Sequence, residues 1–180
     1  DTAARTGLLE RIARGSVAFF LKPEAFQKGD APTGWLPVKN KGGLTHFSDW
    51  LYHKECVAKR HTLFEGLQSR GIMDWDYYGP IITNKFFEGG DIPEDMAAAA
   101  FAVCHSSRPD GFAAGVMLGV YPFGEGKIIV NTFTILDNID RHPAADRMLL
   151  NMVAYGSANT GHPAVPLPES FPAMLKELGY

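Results

Sequence analysis

The chain has 180 residues, 46% of them apolar and 21% charged, with a formal net charge of −3. This is the balance of a globular protein with enough chain for a sizeable core, and it excludes the basic footprint of a nucleic-acid binder. No apolar run approaches the roughly 18 to 20 residues that cross a bilayer, and two cysteines, Cys56 and Cys104, make no disulfide framework.

The opening residues show no signal-peptide pattern, and a start at Asp1 rather than Met is expected of a processed product or an excised domain. Thr2 to Arg14 is predicted helical, with Leu8, Leu9 and Ile12 on one face. Gly15 ends that helix. The continuous apolar run Val17 to Leu21 suits a buried, parallel strand. Helix, glycine and buried strand together make half of an α/β unit.

From about residue 27 to 95 the chain is long, broken by Gly and Pro, and rich in aromatics. A stretch of this kind between two strands is either functional or an elaborated interface. Gly29 to Gly43 is loop-like, Asp49 to Leu67 is expected to be partly helical, and Ile81-Ile82 to start a short strand. Met96 to His105 reads two ways, its alanines favouring helix and its Phe-Ala-Val-Cys end a buried strand; taken as a strand from about Ala98, it makes three consecutive strands, Ala98 to His105, Phe112 to Tyr121 and Lys127 to Thr134. Pro122 to Gly126 is turn chemistry between the last two. Pro143 fits a first helical position, with apolar residues at helical spacing to Tyr155 and Gly156 placed to close the helix. A hairpin feeding such a helix suggests the edge of an α/β sheet. The tail, about 157–180, is rich in Pro and Gly and holds a last short helix from Ser170.

Three segments carry a resemblance. Leu8 to Leu21 resembles the helix–glycine–strand segment of class I glutamine amidotransferase-like domains. Tyr121 to Val130 is similar to their Y-x-x-G-x-G-R/K-hydrophobic hairpin, and Asn138 to Tyr155 to their closing segment, a Pro-led helix with Leu149-Leu150-Asn151 and Tyr155. With His61 to Leu67 and Asp74-Trp75, the order is most similar to amidotransferase-like domains attached to bacterial β-galactosidase-like glycoside hydrolases. The match covers the two ends of the chain well and the middle poorly. The resemblance implies a flavodoxin-like, three-layer α/β/α fold, partial because the early strands would precede Asp1. It implies one domain over 1–180 carrying the aromatic-rich insertion.

In active members of that family a cysteine sits on a sharp elbow after the helix–glycine–strand segment, and a histidine follows a late strand. Here the first place reads Lys22-Pro23-Glu24, the second Thr134-Ile135-Leu136-Asp137, and His142 lies too far on. No catalytic residue is assigned. Cys104 and its neighbour His105 would point to opposite faces of a strand. His53, Cys56 and His61 would share one side of a helix but lack a fourth ligand, so no metal is assigned. Glu24, Asp74, Asp76, Glu88, Asp91 and Asp137 are available acids, and nothing in the sequence pairs two of them as glycoside hydrolysis requires.

Trp50, His53, Asp74, Trp75 and Tyr77 are the candidate ligand or interface residues, since Trp and Tyr faces stack on sugars and anchor interfaces. The expected role is a noncatalytic accessory domain that assembles with, or shapes the site of, a carbohydrate-active protein. Its partners would be the other domains of a parent glycoside hydrolase or a second copy, with no cofactor, no nucleic acid and no membrane span. The alternatives are a hydrolase with its site in the 46–105 insertion, or a carbohydrate-binding module using Trp50, Trp75 and Tyr77. The compartment is open; a parent that degrades polysaccharide would place it in the periplasm or outside the cell.

Overall fold

The computed structural model describes residues 2–47, 55–67, 71–103 and 111–180. Among them are four helices and a mixed, open sheet of seven strands, an α/β architecture. The helices are α1 (Thr2–Ala13), α2 (Trp75–Tyr78), α3 (Pro143–Asn159) and α4 (Phe171–Glu177). The strands are β1 (Val17–Phe20), β2 (Gly43–His46), β3 (Glu55–Ala58), β4 (Lys85–Glu88), β5 (Asp95–Val103), β6 (Phe112–Phe123) and β7 (Gly126–Asn131).

The sheet is built around β6 and forks there. Val116 of β6 pairs with Ala99 of β5 on one edge and with Phe87 of β4 on the other. Val120 pairs with Asp95 of β5 and with Ile129 of β7. β7 and β4 therefore share one edge of β6, end to end, while β5 runs along the opposite edge and carries β3 beyond it. β1 extends the β7 arm in parallel, and β2 extends the β4 arm antiparallel. Alternation then loads both faces of the sheet. Ile129 joins α3 residues Met148 and Met152 in one core, and Ile128 and Val130 join Leu9 and Ile12 of α1 in the other.

The meander β5–β6–β7 lies where the residue pattern puts it, with shifted bounds. β5 starts at Asp95, β6 runs on through Pro122 to Phe123, and β7 stops at Asn131. Six differences are physical. The β6–β7 hairpin is central rather than at the sheet's edge, because β1 flanks β7 and three strands flank β6. β1 is parallel, as its apolar run suggests, but among the described residues it ends the sheet, with all its side chains half-buried. The described part of 49–67 holds no α-helix: Cys56 and Val57 are strand residues and Thr62–Phe64 is a single 3-10 turn. Ile81 and Ile82 start no strand; their N–H groups close the α2 turn on Tyr78 O, and the strand begins at Lys85. α3 passes through Gly156, which is there for packing, since a Cβ would lie 3.0 Å from the Phe19 ring; Thr160 caps the helix. Ser170 precedes α4 but makes no side-chain cap bond.

Candidate functional site

β1 and β7 run parallel, so the residues that follow them, 21–24 and 132–137, emerge at the same end of the sheet. That end is also the fork, where β7 stops and β4 begins on the shared edge of β6. A crevice of about 390 Å³ occupies the gap, lined by Leu21, Lys22, Glu24, Lys85, Thr134 and Asp137 among others. Crevices outside the carboxyl ends of parallel strands, where a sheet changes course, are the usual ligand sites of open α/β folds.

The end of each strand is fixed by one buried amide. Asn131 is fully buried, and its Nδ2 donates to Leu21 O at 3.0 Å and to Phe133 O at 2.8 Å. Its Oδ1 accepts from Phe133 N at 3.2 Å. The turn leaving β1 is thereby tied to the loop leaving β7. Thr132 N continues the pairing with β6, bonding Met117 O at 2.9 Å.

Two ion pairs close the mouth. Lys22 Nζ lies 2.7 Å from Asp137 Oδ1, and Lys85 Nζ lies 2.5 Å from Glu24 Oε1. The hydrogen bond from Lys85 holds the Glu24 carboxyl below its usual range, against a smaller opposing effect of burial. The two places where the resemblance would put a nucleophile and its base thus meet in space. They hold an ammonium and a carboxylate bound to each other rather than a thiol and an imidazole.

The aromatic patch lies next to this loop. Asp74 caps α2, its Oδ1 accepting from Tyr77 N at 2.8 Å. Tyr77 is half-buried, edge-on to Tyr78 at 4.8 Å and to His142 at 5.6 Å between ring centroids. Trp75 is exposed, at 46%. Asn138 Nδ2 and Thr134 Oγ1 both donate to Pro80 O, which joins the end of α2 to the crevice wall. His142 caps α3, its Nδ1 accepting from Ala144 N at 3.3 Å. Of the five candidates, Asp74, Trp75 and Tyr77 come together, and Trp50 and His53 lie outside the described residues, as do Cys104 and His105.

Of the His-Cys-His run, the described Cys56 and His61 do not share a helical face. Cys56 is buried on β3, and His61 caps the 3-10 turn, its Nδ1 accepting from Leu63 N at 3.1 Å while Nε2 meets Asp95 Oδ2 at 3.0 Å. Both ring nitrogens are engaged, so His61 has no free base to offer a substrate. Burial raises the Asp95 pKa, but Lys59 and His61 outweigh it and hold the carboxyl low. Among the described residues no group of three His, Cys, Asp or Glu side chains is gathered to hold a metal.

Sequence reasoning singled out Lys22, Glu24 and Asp137 but missed Lys85 and Asn131. Glu24 and Lys85 stand 61 residues apart, and no local pattern marks such a pair. Asn131 carried one usable signal, a polar residue directly after the apolar run Ile128-Ile129-Val130. A scan against protein-family models finds no match to this chain, and no curated protein matches it.

Proposed function

We propose that this chain is a noncatalytic, amidotransferase-like accessory domain of a bacterial carbohydrate-active protein, with a flavodoxin-like ancestry to its sheet. The observation that carries the proposal is the Lys22–Asp137 pair at the carboxyl ends of β1 and β7. Acyl transfer at that place needs an activated nucleophile with a base in reach. A lysine neutralised by an aspartate, beside a glutamate neutralised by a second lysine, provides neither.

A domain of this kind works through contact. Among the described residues β1 ends the sheet with its apolar side chains half-buried, and on α3 Leu150 and Val153 are 63% and 64% exposed. An apolar strand edge of this sort is a ready template for a neighbouring domain or a second copy. Exposed Trp75 beside Asp74 adds a surface suited to a polar partner.

Two measurements test the proposal. The purified chain is expected to release no ammonia from glutamine, and measurable release overturns the noncatalytic assignment. The full reading frame is expected to encode a glycosidase domain in the same polypeptide. Deleting residues 1–180 from that product should change its assembly or its KM for aryl β-galactosides. A deletion that leaves both unchanged, or a frame without such a domain, overturns the accessory role.

A further inference from the structure

A second cavity lies elsewhere, between β4, β5 and β6 on the α1 side of the sheet, with a volume of about 320 Å³. Its floor is made of small residues, Ala99, Ala114 and Gly115, and its walls of Phe87, Met96 and Phe101. The fork itself makes the slot. A Cβ at Gly115 would lie 2.2 Å from Phe87 O, so β6 must be bare where β4 joins it. Ile92 stands at the rim and is 84% exposed, so an apolar ligand there would cover it.

Among the described residues one basic side chain lines this apolar space. Lys41 is half-buried at the cavity wall, with Nζ bonded to Leu36 O at 2.5 Å and lying 5.7 Å from the centre of the Tyr180 ring. Among the described residues it forms no ion pair. Asp91 shares the rim, but its Oδ2 accepts from Asn40 N at 3.0 Å. A half-buried ammonium that contacts a carbonyl and a ring and has a second cation, Lys28, nearby is short of an anion among the described residues.

We propose that this cavity binds a small apolar carboxylate, such as a medium-chain fatty acid, with its apolar body on the Ala99–Ala114–Gly115 floor and its carboxylate on Lys41. Ligand sites of this type pair an apolar lining with a few placed polar groups. Burial and the nearby Lys28 push the Lys41 pKa down, which an arriving carboxylate would reverse. The site is independent of the accessory role: it uses another cavity and none of the crevice residues.

The test is titration of the purified chain with octanoate, octanol and octylammonium, followed by calorimetry and by the methyl NMR signals of Ile92 and Met96. Octanoate is expected to saturate one site and perturb those methyls. Octanol should bind about tenfold more weakly, the difference made by one charge-assisted contact, and octylammonium not at all. Lys41→Gln should abolish the preference for octanoate over octanol and Lys41→Arg should keep it, with circular dichroism confirming the fold of each. Ala114→Leu fills the slot and should remove both ligands. Octanoate binding that does not saturate, that equals octanol in the unaltered chain, or that survives both Lys41→Gln and Ala114→Leu overturns the proposal.

Discussion

At the scale of the residue, Asn131 matters more than the charged groups around it. It has two donors and one acceptor committed to the ends of β1 and β7, and it is shielded from water. Asn131→Ala strands Leu21 O and both backbone groups of Phe133, and should cost about 3 kcal/mol in urea unfolding. Lys22→Met should cost less than about 1 kcal/mol, because the Lys22 and Asp137 side chains are 48% and 56% exposed and water screens them. Glu24 supplies a directional check. Its carboxyl sits below the ordinary value of 4.5, so the folded state holds its proton less tightly than the unfolded state does. That contribution is present above pH 4.5 and is lost as pH falls through the lowered value. Lys85→Met removes the principal cause, and an NMR titration of the Glu24 carboxyl should then move up towards 4.5. An unmoved titration would show that Lys85 is not the cause.

At the scale of the element, the fork on β6 explains what the sequence disclosed and what it withheld. β6 and β7 were legible because each shows a β-rich pattern and they are joined by the tight turn Gly124-Glu125, whereas the alanines of β5 also suit a helix and only its Phe-Ala-Val end spoke for a strand. β1 was legible as parallel because Val-Ala-Phe-Phe-Leu is apolar without alternation. β2 and β4 were not, since each has four residues, and Ile81-Ile82 gives a stronger local signal than Lys85-Phe86-Phe87-Glu88. The crevice was legible in its two halves and invisible as a site, because Lys22 and Asp137 stand 115 residues apart. A glycine inside β6 reads as a weak point in a strand, yet it is what lets β4 approach. Gly115→Ala would press a methyl against Phe87 O, backbone that cannot turn aside. It should cost about 3 kcal/mol, the upper part of the overpacking range. Hydrogen exchange should show protection lost first in β2 and β4, with β1 and β7 retained. Uniform loss across all strands would mean that the fork is not a separable joint.

At the scale of the whole molecule, three tyrosines, two buried and one half-buried, tie the separate layers to one pH limit. Tyr78 lies in the core under α3, Tyr121 in the core under α1, and Tyr180 against Trp35 with its hydroxyl bonded to Trp35 O. Burial, chiefly, pushes each phenol up to about 12 from an ordinary 10.0. Below pH 10 these phenols are protonated in both states and stability does not depend on them. Between about 10 and 12 the unfolded chain gives up protons that the folded chain keeps, so stability falls as pH rises. These three side chains should therefore add no pH dependence up to about 10, above which the thermal midpoint should fall steeply. Tyrosinate absorbance from these three side chains should rise together with unfolding rather than before it. Tyr121→Phe deletes the hydrogen bond to Asp91 O, costing about 1 kcal/mol at neutral pH. The same substitution removes one of the three proton sinks, so its decline between pH 10 and 12 should be shallower than that of the unaltered chain. Two parallel curves would mean that the Tyr121 phenol ionises as readily in the folded state as in the unfolded one, and that the layer beneath α1 is open to water.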